Sequence, residues 1–528
     1  MSSYRILVAD ELSAEGMQLL NQAGEVVVKK GMDEATLRDT LPPFHALVVR
    51  SATKVTARSL DLAENLAVIG RAGIGIDNVD LEAATERGIV VMNTPEAGAV
   101  TTGEHALALL MSLARRIPAA DSSMKQGRWE KSGLTGSEIS GKTFGIIGLG
   151  RIGRVVAERG KGLCMKVVAY DPYVSEEQAP IGVQLMDLDD LLGCSDFVTV
   201  HVPLSDQTQH LLNAQRLQSM KPGAYLIHAA RGGIVDESAL CDVLESGHLA
   251  GAALDVYEEE PLGEAHPLRK FPNVVLTPHL GASTAEAKRN VSLDMAKQII
   301  TCLKRGITLN GVNVPRIAPS EAMQVEPYLT LARNLTAFLA QIHEGKVESL
   351  RLTLQGSRPE SCAEPLTVAM QVGAMQNRAD IPVTPVNATR IAENMGVRIH
   401  TESSTLKKDF LNLIRVEAVI DGVRHFVSGT VLGNRHVRMV EFDEFMLDAI
   451  PEGSLLVTFH RDRPGVAGRI GTVLGENDIN VERLQLGART KGEGSAIAIW
   501  NLAGTLTRET LKVLQQVDGI EQAHRVRL

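Results

Sequence analysis

Cysteine is scarce in this 528-residue sequence, basic charge is not in excess, and no apolar run is long. The five cysteines (Cys164, Cys194, Cys241, Cys302, Cys362) are odd in number, far apart and without a CxxC pair, so neither a disulfide framework nor a metal site is expected. A formal net charge of −9 provides no basic surface for a phosphate backbone and argues against a nucleic-acid partner. The longest apolar stretch, Ala106–Ala114, is about half the length a membrane-spanning helix needs, and charged residues flank it, so no membrane partner is expected. Met1-Ser-Ser-Tyr-Arg runs directly into an apolar strand pattern, Ile6–Ala9, unlike a secretory leader; a reducing cytoplasm is the expected setting. What is present, 44% hydrophobic and 22% charged residues, is ordinary for a folded chain, and the length calls for three or four cores.

The first three hundred residues alternate short β-branched runs with amphipathic stretches. Arg5–Ala9, Ala46–Val49, Leu66–Ile69 and Ile89–Met92 read as strands, with Ala14–Ala23 and Leu81–Arg87 as helices between. A second series comprises Thr143–Ile147, Lys166–Tyr170, Phe197–Val200, Ala224–His228, Gly251–Leu254 and Val274–Leu276. Such alternation means α/β architecture with two doubly wound parallel sheets. Ala99–Ile117 reads as a crossover helix stopped by Pro118, and Thr284–Leu303 as a helix returning the chain to the first unit. Gly311–Ser320, with Pro315 and Pro319, reads as a linker. Residues 321–450 mix strands and helices. After Pro451-Glu-Gly453 the pattern is βαββαβ, the ferredoxin-like order: Leu455–His460, Gly465–Glu476, Ile479–Leu486, Ser495–Asn501, Arg508–Gln516, Glu521–Arg527.

The sharpest motif is Gly148-Leu-Gly150-Arg-Ile-Gly153, between a strand and a helical pattern. Gly148 suits the tight turn, Gly150 lets backbone approach a pyrophosphate, and Gly153 permits close helix–strand packing in a Rossmann unit. Asp171, 18 positions after Gly153 at the end of the next strand, is placed for ribose hydroxyls and would repel a 2′-phosphate, so NAD is expected over NADP.

Three side chains follow strands of the second series: Arg231, Glu260 and His279. Each alone has an ordinary explanation as a turn, an acidic run or a packing residue. Together, beyond a dinucleotide motif, they supply what oxidation of a secondary alcohol needs. His279 is the base, Glu260 steadies its imidazolium, and Arg231 forks onto a carboxylate and the forming ketone.

Arg231-Gly-Gly-Ile-Val-Asp-Glu, Gly251-Ala-Ala-Leu-Asp-Val-Tyr and Pro278-His-Leu-Gly-Ala-Ser-Thr resemble the D-2-hydroxyacid dehydrogenase family over roughly residues 4–310. The resemblance puts Arg231, Glu260 and His279 on that family's catalytic trio. It puts cofactor contacts on Ile74, Arg151, Ile152, Asp171, Val202, Ala229, Ala230, Arg231, Asp255, His279, Leu280, Gly281 and Ala282. Within the family, Val49-Arg50-Ser51-Ala-Thr-Lys54 and Gly70-Arg71-Ala-Gly73-Ile-Gly75 resemble the phosphoglycerate-oxidising branch. Its substrate contacts then fall on Arg50, Ser51, Lys54, Arg71 and Gly73, with Lys131 reaching in from a neighbouring subunit of a homodimer or homotetramer. Loop charges alone leave that assignment open; a phosphate on the substrate, 3-phosphoglycerate, is what the resemblance implies.

Leu455-Leu-Val-Thr-Phe-His460-Arg-Asp462-Arg-Pro-Gly465, with Asn480, resembles the ACT regulatory domain. The resemblance implies effector contacts at His460, Asp462 and Asn480, with L-serine the expected effector; a purely structural dimerisation module remains the alternative. Val427-Ser-Gly-Thr-Val-Leu-Gly433 resembles the allosteric-type domain that long members of the family carry. The expected division is a substrate-binding domain at 1–97 with 289–311, a cofactor domain at 98–288, an α+β intervening domain at 315–450 and a ferredoxin-like domain at 453–528. A glyoxylate or hydroxypyruvate reductase, and a cofactor-sensing binding protein on the same fold, stay open as rivals.

Overall fold

The structure, a computed structural model, describes residues 4–317, 321–404, 410–433, 435–488 and 494–528. The first sheet is five parallel strands ordered Gly24–Val28, Tyr4–Val8, Ala46–Val49, Val68–Arg71, Val90–Asn93. The second is seven parallel strands ordered Val274–Leu276, Gly251–Leu254, Tyr225–His228, Phe197–Val200, Thr143–Ile147, Lys166–Tyr170, Gln184–Leu185. Strands such as Phe197–Val200 are buried at every position, the pattern of a sheet covered on both faces. In the second sheet the strand order reverses between Thr143–Ile147 and Phe197–Val200. A crevice for ligands opens at such a switch point.

Sequence pattern alone passes over two strands. Gly24–Val28 lies at the sheet edge, half exposed and carrying Glu25, and Gln184–Leu185 is only two residues long. Pro118 also behaves differently from the expected stop. The crossover helix is Ala99–Ala114, Arg116 turns left-handed (φ +52°), and a second helix, Ile117–Lys125, starts with Pro118 in its first turn. There the missing N–H costs nothing, so the proline starts a helix as readily as it ends one.

Helix Ala285–Arg305, capped by Thr284 and ended by Gly306, packs Met295 and Ile299 onto the first sheet. Gly70 has no room for a Cβ there, which would sit 2.3 Å from Met295 Sδ. The expected linker is not a free tether in its described part. Val312 N–H donates to Val91 O, and Asn313 Oδ1 accepts from Val91 N–H, so this segment straps the edge strand of the first sheet. Residues 318–320 of that linker lie outside the described residues.

The remaining chain forms two further sheets. One has six strands, ordered Arg398–Ser403, Val347–Gln355, Leu413–Ile420, Val423–Leu432, His436–Phe442, Phe445–Ala449, covered by helices Ala322–Ile342 and Ala363–Met375. The other is antiparallel, ordered Asn480–Ala488, Ser495–Ala503, Ser454–Arg461, Ile520–Arg527, with helices Val466–Glu476 and Arg508–Gln515, the ferredoxin-like plan. One face of this last sheet carries its own helices, and the other (Leu455, Val457, Ile497, Ile499, Val526) shares a core with Phe442, Phe445 and Leu447 of its neighbour.

Candidate active site

The glycine loop has the geometry its spacing suggests. Gly148 adopts φ +94°, a Cβ at Gly153 would come within 2.0 Å of Gly148 O, and a Cβ at Gly150 would meet nothing within 4 Å. Gly150 thus opens space at the start of helix Arg151–Gly162, whose free N–H groups suit a pyrophosphate. Asp171 closes the loop: its carboxylate accepts from Leu149 N–H (2.8 Å) and Tyr173 N–H (2.9 Å). The site fits a dinucleotide. Among the other expected contacts, Val202 lies against Gly148, Ile74 and Ala282 flank Gly98, and Ala229 and Ala230 are buried. Arg151 and Ile152 form the first helical turn, and Leu280 is exposed.

Glu260 and His279 meet. His279 Nδ1 lies 2.8 Å from Glu260 Oε2, and Glu260 Oε1 accepts from Tyr257 N–H at 3.1 Å, so the carboxylate is gripped at both oxygens. His279 holds a left-handed backbone (φ +52°), which a non-glycine residue adopts at a cost of roughly 1–3 kcal/mol. Asp255 supports that turn. Its buried carboxylate accepts from Thr277 Oγ1 (2.6 Å), Leu280 N–H (2.7 Å) and Gly281 N–H (2.8 Å), with His105 Nε2 at 3.1 Å. Burial alone would raise the Asp255 pKa; hydrogen bonds from His105, Thr277 and Leu280 outweigh it and hold the group below its ordinary value. Asp255, expected from resemblance to touch cofactor, is tied by these bonds to the loop that carries His279.

Arg231 reaches across to the first sheet's loops. Its Nε donates to Asp77 Oδ2 (3.0 Å) and one terminal nitrogen lies 2.0 Å from where a Gly75 Cβ would be. Arg71 is half-buried beside it. Burial first, then the guanidinium charges of Arg231 and Arg50, push Arg71 down to about 10, against the opposing pull of Asp77 and Asp10. It stays a cation near neutral pH. Asp10, buried, organises the Arg50 loop by accepting from Arg50 N–H (2.5 Å) and Thr53 Oγ1 (2.9 Å), while Asn78 Nδ2 donates to Arg50 O and Thr53 O. Arg50, Arg71 and Arg231 are therefore brought together beside Gly73. Ser51 and Lys54 are exposed on the same loop. Lys131 is exposed on a separate segment, before Ser132–Leu134.

Sequence reasoning assigned no role to Asp77, Asp10, Asn78 or His105. Each pairs with a residue far along the chain, and no local signal marks it. In the terminal domain the three expected effector residues differ in setting. His460 is buried with Nδ1 3.4 Å from Thr458 O, whereas Asp462 and Asn480 are exposed. The helix there begins at Val466, with Gly465 left-handed before it.

The chain matches the family model for the D-isomer specific 2-hydroxyacid dehydrogenase NAD-binding domain over residues 107–281. It also matches the D-3-phosphoglycerate dehydrogenase intervening domain over 324–443 and the ACT domain over 454–517. It is 40% identical over 526 residues to a D-3-phosphoglycerate dehydrogenase of Synechocystis sp., covering 99% of this chain and 95% of that one. To that of Archaeoglobus fulgidus it is 40% identical over 527 residues, covering 99% and 100%. Among solved structures, a glyoxylate reductase from Paecilomyes thermophila superposes with a TM-score of 0.56 at 27% identity, over 59% of this chain and 99% of that one. A glyoxylate/hydroxypyruvate reductase from Sinorhizobium meliloti gives a TM-score of 0.54 at 30% identity, over 59% and 97%. With full-length likeness of this degree, the chain belongs to the D-3-phosphoglycerate dehydrogenase family, within the D-isomer specific 2-hydroxyacid dehydrogenases.

Proposed function

We propose that the chain oxidises 3-phospho-D-glycerate to 3-phosphohydroxypyruvate with NAD⁺, the first step of L-serine synthesis. The observation that carries this reading is the gathering of Arg50, Arg71 and Arg231 in one cluster, in a chain whose His279 and Glu260 also pair. Two of those cations exceed what a lone carboxylate needs, and a phosphate supplies the matching charge. Arg231 holds the substrate carboxylate and polarises the C2 oxygen; Arg50, Ser51, Lys54, Arg71 and the Gly73 backbone receive the rest of the substrate, with Lys131 contributed by a neighbouring subunit. His279, tied through Nδ1 to Glu260, takes the C2 hydroxyl proton at Nε2, and the Glu260 carboxylate steadies the imidazolium that results. NAD⁺, held in the glycine-loop site, would supply the acceptor for the hydride that leaves C2. The Gly148–Gly150 turn and the start of helix Arg151–Gly162 would hold its pyrophosphate and Asp171 its ribose, while Gly153 lets that helix pack against Gly148.

The regulatory reading is that L-serine binds His460, Asp462 and Asn480 where two copies of the terminal domain meet in a cytoplasmic homodimer or homotetramer, and inhibits. A substrate panel tests the catalytic reading by NADH absorbance: 3-phosphoglycerate should be oxidised and unphosphorylated glycerate should not. Comparable turnover of glycerate, or reduction of glyoxylate in preference to 3-phosphohydroxypyruvate, would overturn it. Arg50→Ala should raise KM for 3-phosphoglycerate and leave NADH affinity unchanged.

A further inference from the structure

Arg231 and Asp77 stand on different sheets, yet their side chains meet. Asp77 lies in the loop after strand Val68–Arg71 of the first sheet, and Arg231 follows strand Tyr225–His228 of the second. That loop is held by its backbone: Val79 N–H donates to Ile76 O and Val55 N–H to Asn78 O, each at 2.8 Å. Asp77 therefore presents its carboxylate from a fixed turn. Its Oδ2 accepts from Arg231 Nε at 3.0 Å, while Arg231 Nη1 donates to Ala230 O at 2.7 Å. A guanidinium is planar, so donors held on two fixed acceptors set both its plane and its rotation. The other terminal nitrogen, Nη2, is left over the Gly73–Gly75 turn, 2.0 Å from where a Cβ of Gly75 would stand.

The same carboxylate answers a problem of charge. Arg71 Nη1 lies over Gly73, 1.6 Å from a Cβ position there, and Arg231 is the charge that most disfavours the Arg71 cation. Of the two acids that oppose this, Asp77 acts more strongly than Asp10. Asn78, the next residue, accepts from Arg71 Nε at 3.5 Å and donates to Arg50 O and Thr53 O. Two adjacent side chains thus hold the three arginines in one arrangement.

A carboxylate at this place repels both anionic groups of 3-phosphoglycerate, so attraction to the substrate is not its part. We propose that Asp77 is a positioning residue, which turns Arg231 toward the substrate and keeps it beside Arg71. This rests on the substrate-holding role proposed for Arg231. The bond spans the two units, so Arg231 is aligned only while they stand together.

The test is a double-mutant cycle on the full-length enzyme, Asp77→Asn against Arg231→Lys, with kcat, KM, NADH affinity and Tm measured for each. Asp77→Asn is expected to lose about tenfold or more, chiefly in kcat, with NADH affinity and Tm near those of the wild type. In the Arg231→Lys background the same substitution should cost less than about twofold, since the group it positions is gone. An unchanged kcat in Asp77→Asn, a loss confined to KM, or an equal loss in both backgrounds overturns the proposal. Should Asp77→Asn misfold, Asp77→Glu replaces it. The charge stays and the carboxylate moves outward, so a kcat loss that Arg231→Lys cancels supports positioning, and no loss refutes it. Rates are measured with 3-phosphoglycerate. A wild type that leaves this acid untouched fails the substrate reading alone, and the cycle is then run on the 2-hydroxy acid it does oxidise.

Discussion

The Arg231 guanidinium occupies the space a side chain at Gly75 would fill, its terminal nitrogen 2.0 Å from that Cβ position. Gly75 has ordinary backbone angles, so alanine there meets a clash and no backbone strain. Asp77 Oδ2, 2.6 Å from the same point, blocks the other direction. Gly75→Ala should therefore displace the Arg231 guanidinium, proposed above to hold the substrate, and leave the fold intact. We expect kcat/KM to fall on the order of 10²-fold with Tm and NADH affinity nearly unchanged. Steady-state kinetics beside a thermal melt checks this, and full activity would remove Arg231 from its role.

His279→Ala should keep NADH binding and lower kcat by roughly 10²–10⁴-fold, the usual worth of a positioned acid–base group. Glu260→Gln should move the pH profile of kcat while NADH still binds. Pre-steady-state hydride transfer separates chemistry from release; a rate near wild type in folded His279→Ala assigns the proton to another group.

His228, at the end of strand Tyr225–His228, is buried and pushed down from 6.5 to about 4 by that burial; His201, beside it, is shifted the same way. The unfolded chain takes up the His228 proton near 6.5 and the folded chain only near 4. Stability present above 6.5 is thus lost as pH falls toward 4, by roughly 2 kcal/mol at about pH 5. Urea unfolding at about pH 7.5 and pH 5 measures the loss, and His228→Gln should shrink the difference even if it destabilises at both. An equal pH dependence in the variant would mean that other groups govern acid sensitivity.

Asp171→Ala should weaken NAD⁺ and relax the discrimination against NADP⁺, because the repelling charge and its ribose hydrogen bonds go together. It also frees Leu149 N–H, so part of the loss reflects the loop. The ratio of kcat/KM for the two cofactors isolates the charge effect; an unmoved ratio places Asp171 away from the ribose.

The parallel sheets and the dinucleotide loop are legible because local rules specify them: β-branched runs, alternation, and three glycines with distinct steric duties. The pairing of His279 with Glu260 is legible from chemistry, since both follow strands at one end of a sheet. What escapes is long-range pairing. Asp77 answers to Arg231 154 positions away, and Asp10 to a loop 40 positions on. Each looks like a solvated acid until the sheet brings its partner near. Gly311–Ser320 reads as a linker because of Pro315 and Pro319, yet Asn313 uses its side chain to cap backbone groups at the edge strand, accepting from Val91 N–H and donating to Ile89 O. Nor does alternation in the terminal strands say that their second face shares a core with the intervening domain.

Feedback by L-serine is the remaining test. Asp462 is exposed after strand Ser454–Arg461, its N–H tied to Gly494 O, and Asn480 is exposed at the start of strand Asn480–Ala488. A zwitterion needs an acceptor for its ammonium group and donors for its carboxylate. Asp462 supplies the first, and the free N–H groups at the start of helix Val466–Glu476 supply the second. His460, the third proposed contact, is buried, with Nδ1 3.4 Å from Thr458 O. The other face of the same sheet shares a core with the intervening domain, so under the proposed regulation that core is the route by which a change between two terminal domains would reach it. We expect inhibition by L-serine with a coupling of about 1–3 kcal/mol between effector and substrate sites. Asp462→Ala should abolish both binding heat and inhibition while kcat without serine stays as in the wild type; His460→Ala should alter affinity through packing and lower Tm. If the wild type shows neither heat nor inhibition at millimolar L-serine, the terminal domain is structural or answers to another ligand.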